Sequence, residues 1–226
     1  MKSKTARELV SDDPAMPMIR AWLDGNARPI EILPCQPDHG EVSLVALQVT
    51  TRSPLGAIAH ETGGIFIDDG WLRVLGAGSA KLARTIAGWN GLPCDPGDAF
   101  LPGAMFVADD VIGGMFAIDV GALGAKQGNI AYFAPDTLAW EDTGLGYTEW
   151  LYWAFTGDLE TFYEGSRWHG WRGEVPSLVG THAYSIQPFP WLQGPALAER
   201  DRRAVPIREL RDLQLKMAVE IPRSNA

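Results

Sequence analysis

Four short β-rich runs follow one another between residues 104 and 142, and no other feature of the sequence constrains the fold as strongly. The runs read MFVAD, MFAID, NIAYFA and LAWED, and turn residues separate them. Parallel neighbours in a sheet need a crossover of about a dozen or more residues, which the turns DVIGG and PDT do not provide. The sequence therefore predicts an antiparallel meander in this part of the chain.

Two further regions are predicted to form strands. Residues 42–49 alternate apolar and polar side chains well enough to indicate a strand. Residues 65–67 and 71–75 are β-rich, and the tripeptide DDG between them is typical of a hairpin.

Capping residues predict the helices. Ser53 followed by Pro54 indicates the start of a short helix, and Gly63 ends it. A second helix is predicted over 79–91, with Leu82 and Trp89 on one face. Further helices are predicted after SDDPAM and over 147–155, 157–165 and 206–218.

This order of helices, hairpin and meander in 226 residues indicates a single α+β domain with a mainly antiparallel sheet flanked by helices. We expect residues 29–200 to form that domain. Residues 1–28 are predicted to be a loosely ordered N-terminal extension. Residues 201–226 are predicted to be a C-terminal extension whose helix packs on the domain.

The formal net charge of −9 limits the kinds of partner. Nucleic-acid binding depends on clustered Lys and Arg, so we expect no nucleic-acid partner and favour a cationic protein. The N-terminus has no apolar signal segment, and no apolar run is long enough to span a bilayer. We therefore expect no membrane association and a cytoplasmic location, while the oligomeric state stays open.

Cysteine and histidine spacing predicts no metal site. Cys35 and Cys94 lie far apart and form no C-x-x-C unit, so we expect reduced thiols rather than a zinc site or a disulfide framework. No two of the histidines form the H-x-x-x-H spacing of a metal-binding helix. The histidines are His39, His60, His169 and His182.

The stretch LGAGSAK, residues 75–81, resembles a nucleotide-binding turn but departs from both known patterns. Gly76 and Gly78 match the first two glycines of the dinucleotide fingerprint, but Lys81 stands at the third position. A P-loop needs Gly directly before its Lys, and Ala80 stands there instead. We favour a strand-to-helix turn capped by Ser79 over a phosphate site, and we predict no cofactor.

Three acids, Asp109, Asp110 and Asp119, lie around one predicted hairpin. Paired carboxylates can bind a hard cation or act as acid and base, but Asp also builds turns by hydrogen-bonding its own backbone. The neighbouring glycines at 113 and 114 favour the turn interpretation. The sequence contains no D-x-D-x-D-G loop and no G-x-S-x-G motif, so it assigns no catalytic residue.

An aromatic band occupies residues 147–171. One helix cannot bury Trp150, Tyr152 and Trp153 on a single face, because residues i and i+2 diverge by about 200°. Some of these rings must therefore contact a second layer or line an exposed groove. Core packing is the preferred interpretation, and a protein interface or a sugar-stacking platform is the alternative.

Four motifs taken together resemble an uncharacterised bacterial family, domain of unknown function 2625. They are HETGGIFIDDGWLRVLGAGS, FVADDVIGGMFAID, GNIAYFAPDTLAWED and GDLETFYEGSRWHGW. The resemblance runs from Ser53 to Val175 and continues through FPWL and VPIREL. It implies no catalytic residues.

The order of elements is more distantly similar to the SUKH superfamily. That similarity implies an α+β fold with a curved sheet flanked by helices. Many bacterial SUKH proteins are immunity proteins that bind and neutralise toxins, often nucleases. Nuclease toxins tend to be cationic, so the negative charge of this chain fits such a role.

The leading hypothesis is a non-enzymatic cytoplasmic protein that binds another protein, as a toxin-neutralising immunity factor does. The predicted contact surface consists of Trp71, Asp109, Asp110, Asp119, Trp140, Trp168 and Trp171. A regulatory domain without a toxin partner is an open variant of this hypothesis. The alternative is an enzyme for small molecules or carbohydrates, with Asp109 or Asp119 and Glu141 as its acids. A catalytic pair would line a concave pocket about 5–10 Å apart.

Overall fold

The computed structural model describes residues 3–92 and 101–221, and it confirms the α+β class and the antiparallel meander. Seven strands form one sheet in which each strand pairs antiparallel with the next along the chain. The strands are β1 Ile30–Leu33, β2 Gly64–Ile67, β3 Leu72–Leu75, β4 Ala104–Asp110, β5 Met115–Asp119, β6 Asn129–Ala134 and β7 Ala139–Gly146.

Nine helices lie within the described ranges. The helices are α1 Ala6–Leu9, α2 Met16–Leu23, α3 Pro37–Leu47, α4 Pro54–Glu61, α5 Ile86–Trp89, α6 Tyr147–Thr156, α7 Leu159–Phe162, α8 Trp171–Glu174 and α9 Ile207–Glu220. Helices α4, α5 and α7 each begin at a residue whose side chain accepts from a backbone amide of the first turn. The helix predicted at Ser53 begins there, because the Ser53 hydroxyl accepts a hydrogen bond from the Gly56 amide at 3.1 Å.

A second sheet of two strands, β8 His182–Gln187 and β9 Asp201–Pro206, was not predicted from the sequence. The Tyr184 amide joins it to the main sheet by donating to the Val111 carbonyl at 2.7 Å. The predicted domain boundary at residue 200 is wrong, because it would separate β9 from its partner β8. The last helix does pack on the domain, and its Ile207 and Leu210 are buried.

The N-terminal segment is not a loose extension. Leu9, Met16 and Ile19 are buried, and the last two belong to the main hydrophobic core. Arg28 fastens the end of this segment by donating to the carbonyls of Ala154 and Phe155 near the end of α6. The expectation for residues 1–28 is therefore corrected for the described part.

Two predicted elements are wrong in type or length. Residues 42–47 of the predicted strand belong to helix α3, which ends where Gln48 adopts a left-handed conformation with φ 53°. The predicted helix over 79–91 contains a helix only at α5. Before α5, the Ser79 amide donates to the Leu82 carbonyl, and the helix begins where Thr85 accepts from the Gly88 amide.

The two faces of the main sheet bury different kinds of side chain. Phe116 lies on the face that packs against α6, with its ring 5.1 Å from that of Trp150. Cross-strand partners on the opposite face form a row across β1 to β4. The row is Glu31, Phe66, Arg73 and Asp109. This mixed polar row positions the charged groups described below.

Candidate functional site

The first three amides of the glycine-rich turn after Gly76 are hydrogen-bonded within the protein. The amides of Ala77 and Gly78 donate to the carbonyls of Thr62 and Gly63 at 2.9 and 3.1 Å. The Ser79 amide is also used within its own turn. A phosphate site at such a turn depends on free amides that point at the anion, so the geometry supports the turn interpretation.

Tight packing explains the glycine at position 76. A Cβ atom there would lie 2.5 Å from the Gly64 amide nitrogen and from the Thr62 carbonyl oxygen. We expect Gly76→Ala to lower the free energy of unfolding by about 1–3 kcal/mol, because backbone atoms must shift to admit the methyl group.

Urea denaturation measures this effect, and Gly173→Ala is the matched control. A Cβ atom at Gly173 meets nothing within 4 Å, and this residue lies in helix α8. The control should be neutral or slightly stabilising. Equal unfolding free energies for the Gly76 variant and the wild type would contradict the packing argument.

Asp109 is completely buried between two arginines. Its Oδ1 atom lies 2.7 Å from Nη2 of Arg73 and also accepts from Arg73 Nε at 2.8 Å. Nη1 of Arg84 pairs with Oδ2 of the same carboxylate. Burial lowers the pKa of Arg73, and the Asp109 carboxylate opposes that shift. Asp109 therefore balances two buried cations and is not available to a substrate or partner.

Asp110 closes the turn between β4 and β5. Its Oδ1 accepts from the amides of Ile112 and Gly114 at 3.0 and 2.7 Å, and the Tyr132 hydroxyl donates to its Oδ2 at 2.9 Å. Burial raises the pKa of Asp110 to about 6, although these hydrogen bonds act in the opposite direction. The Asp110 carboxylate therefore stabilises the β4–β5 turn, which agrees with the turn interpretation based on Gly113 and Gly114.

Asp119 organises the turn that follows β5. Its Oδ1 accepts from the amides of Ala122 and Leu123 at 2.9 and 3.2 Å, and its Oδ2 accepts from Ala125 at 2.9 Å. Burial raises the pKa of Asp119, but the backbone hydrogen bonds together outweigh it and lower the pKa. Both carboxylate oxygens are therefore engaged by backbone amides of this turn.

Three predicted surface tryptophans form a cluster that encloses an internal arginine. The ring of Trp71 lies 5.3 Å from Trp168 and 5.1 Å from Trp171. The guanidinium of Arg167 lies 5.1 Å from the Trp71 ring and 4.4 Å from the Trp171 ring, and it pairs with Asp68 at 2.5 Å. Most side chains of the aromatic band are therefore part of the core, which is the interpretation that the sequence favoured.

The predicted contact surface is accordingly corrected. Six of its members are at most 8% exposed, and the Trp140 side chain is half-buried against the rings of Phe106 and Phe133. A partner does not reach these buried groups. The six are Trp71, Asp109, Asp110, Asp119, Trp168 and Trp171.

None of the three acids proposed for catalysis lines either of two cavities formed by described residues. A cleft of about 530 Å³ lies between β1–β3 and residues 175–180. A second cavity of about 400 Å³ is lined by Cys35, His39 and Ser79. The Cys35 thiol donates to the Gln36 carbonyl at 3.0 Å, and burial raises its pKa, which disfavours the nucleophilic thiolate. Cys94 lies outside the described residues.

A strongly acidic surface was missed by the sequence analysis. Residues 127–166 contain seven acidic residues and no Lys or Arg, and all seven are exposed. Counting charges in windows along the chain would have found this bias. The acids are Asp136, Glu141, Asp142, Glu149, Asp158, Glu160 and Glu164, and we call them the acidic surface.

Comparison with known proteins identifies the family. A family model described as a protein of unknown function, DUF2625, matches residues 7–210. The chain belongs to the DUF2625 family. A relative of this DUF2625 protein, the putative uncharacterized protein YbfG of Escherichia coli K12, is 42% identical over 207 residues, which cover 92% of this chain and 93% of YbfG. An uncharacterized protein of Haemophilus influenzae is 40% identical over 167 residues, 74% of this chain and 73% of its own length.

No solved structure matches this DUF2625 chain. Within the described ranges, no helix combines the length and the apolar character that a membrane crossing requires. No group of three or more metal-ligating side chains occurs among the described residues either.

Proposed function

We propose that this DUF2625 protein binds a basic protein partner on its acidic surface. The single observation that carries the proposal is the run of seven exposed acids in residues 127–166, a stretch without Lys or Arg, in which Glu160 alone forms ion pairs with described arginines. Complementary charge accelerates association and selects among partners. The acids sit on consecutive elements from the β6–β7 turn to the residues just after α7, and helix α6 packs against strand β7.

Strand β7 gives this surface a place for backbone recognition. It is the last strand of the main sheet, so one side of its backbone pairs with β6 and the other side faces no strand of the described chain. Glu141 and Asp142 lie on this strand and are exposed. Acidic residues on an edge strand repel a second copy of the same strand but attract a basic one.

Exposed aromatic rings add apolar contact area beside the acids. Phe162 is 37% exposed and packs 5.1 Å from the ring of Tyr132, whose cross-strand partner on β7 is Glu141. Aromatic side chains flanked by charges are typical of protein interfaces. The similarity to SUKH proteins implies a cationic toxin as the partner. We propose that the basic partner is a protein of this class.

Charge reversal of the acidic surface tests the proposal. The variant carries Asp136→Lys, Glu141→Lys and Glu164→Lys, three acids that form no ion pair with any described residue. We expect affinity capture from a lysate of the native organism to retain a basic protein on the wild type. Its yield should fall at least about tenfold on the variant and fall steeply as salt rises.

The matched control changes the same total charge elsewhere. It carries Glu41→Lys, Glu61→Lys and Glu209→Lys, which are exposed and lie outside residues 127–166. The control should retain the partner as the wild type does. Equal retention on the charge-reversed variant, or no basic protein on the wild type, would contradict the proposed function.

A further inference from the structure

The cleft of about 530 Å³ lies at the β1 edge of the sheet, and none of the seven acids of the acidic surface lines it. Its volume lies within the range of about 300–1,000 Å³ that small-molecule sites occupy. Apolar side chains form much of its lining, including Ile30, Phe66, Val111 and Val179. A few charged side chains join them, which is the usual composition of a ligand site.

The floor of the cleft is formed by three residues of the polar row on the sheet, Glu31, Phe66 and Arg73. Phe66 lies between Glu31 and Arg73 in that row. The chain after α8 covers Arg73, whose Nη1 donates to the His182 carbonyl at 2.6 Å, and leaves Phe66 half-buried. A ligand in the cleft would therefore contact the Phe66 ring.

Pairing within the protein leaves one charge in the cleft unbalanced. Arg73 is 2% exposed and pairs with Asp109, a carboxylate that it shares with Arg84. Lys81 pairs with Glu31 at 2.6 Å. Asp69 also lines the cleft, and its carboxylate makes neither a hydrogen bond nor an ion pair with the residues that the structure describes. Asp69 is therefore the charged side chain of the lining that a ligand can pair with.

We propose that this cleft binds a small organic cation, an amine or guanidine carried on an apolar body. The Asp69 carboxylate pairs with the cationic head, and the Phe66 ring adds a cation–π contact. The apolar side chains of Ile30 and Val179 in the lining take part of the apolar body out of water. The Asp69 carboxylate would repel an anionic ligand. A neutral ligand would form no ion pair with this carboxylate.

The test uses three probes of similar shape and different charge. These are 2-phenylethylamine, 2-phenylethanol and 3-phenylpropionate, and calorimetric titration measures their binding to the full chain. The amine should bind at least about tenfold more tightly than the alcohol or the carboxylate, the factor that about 1.4 kcal/mol of charge pairing gives. Equal binding of the three probes, or no binding of the amine, would overturn the proposal.

Variants at Asp69 separate binding from folding. Asp69 adopts a left-handed conformation with φ 59°, which Gly adopts without strain and Asn tolerates. Both Asp69→Gly and Asp69→Asn should therefore fold, and both should weaken amine binding at least about tenfold.

Asp136→Asn, on the acidic surface, is the control and should bind the amine like the wild type. Phe66→Leu keeps apolar volume without the ring and should weaken binding several-fold. Unchanged amine binding in folded Asp69→Asn would refute the role of this carboxylate. The proposed protein partner would be unaffected by that result, because Asp69 is not one of the acids of the acidic surface and the charge-reversed variant keeps Asp69.

Discussion

Replacing Asp109 with asparagine should lower the free energy of unfolding by about 3–5 kcal/mol, the largest effect of any single charge change in this protein. The substitution removes the carboxylate that neutralises Arg73 and Arg84, which are only 2% and 8% exposed. The asparagine oxygen can still accept one hydrogen bond, but both guanidinium charges then stay buried without a counter-charge. That loss is a large share of the about 5–15 kcal/mol that stabilises a typical domain.

Urea denaturation at neutral pH measures this prediction, and two further variants calibrate it. Asp136→Asn removes an exposed carboxylate and should change stability by at most about 0.5 kcal/mol. Arg84→Met leaves one carboxylate facing one arginine, so it should cost less than Asp109→Asn. An Asp109→Asn variant as stable as the wild type, or less affected than Arg84→Met, would contradict the charge-balance argument.

Asp110 should make the stability of the protein fall as the pH rises from about 4 to about 7. Burial raises the pKa of this carboxyl from 3.8 to about 6 in the folded protein. Below about pH 4 the group is protonated in both the folded and the unfolded chain, so its favourable contribution is fully present. That contribution is lost as the pH rises through about 6, because the folded state must then hold a buried charge.

The comparison with Asp110→Asn isolates this effect. Asparagine accepts from the amides of Ile112 and Gly114 and can donate to the Tyr132 hydroxyl, but it does not titrate. The unfolding free energy of the wild type relative to the variant should fall by about 3 kcal/mol across this pH range, at about 1.36 kcal/mol per pKa unit.

Taking the difference between the two proteins cancels the carboxyls whose pKa values are lowered in the fold, such as Asp119 and Asp142. Their contributions move in the opposite direction and are lost as the pH falls. A difference that stays constant with pH, or that rises from about pH 4 to about pH 7, would show that Asp110 titrates normally in the folded chain.

Local sequence signals predicted the elements whose structure depends on neighbouring residues. The DDG turn produced the β2–β3 hairpin, and Ser53 with Pro54 produced the start of α4. Residues 42–47 were predicted as a strand but form part of helix α3. The periodicity of a short apolar run does not distinguish a strand from a buried helix. The helical state of residues 42–47 depends on packing, and Leu44 is completely buried.

The β8–β9 pair was missed because its residues are joined by a long proline-interrupted connection. Arg200 holds that connection together by donating to the carbonyls of Pro188, Phe189 and Pro195. These contacts join one side chain to several backbone oxygens. The pattern of apolar and polar residues in the sequence does not predict such contacts. The acidic surface, in contrast, was visible as a charge bias in the sequence and needed the structure only to show that all its members are exposed.

The sequence by itself determined the antiparallel meander, the α+β class and the turn roles of Asp110 and Asp119, since backbone dihedral preferences and turn hydrogen bonds act over a few residues. The turn interpretation is wrong for Asp109, which pairs with two arginines. Only the tertiary structure decided which charges are buried and which face solvent. Asp109 meets Arg73 and Arg84 from 36 and 25 residues away, and the aromatic band closes around Arg167. Burial and charge balance depend on groups distant in the chain, so they are settled only when the layers of the fold come together.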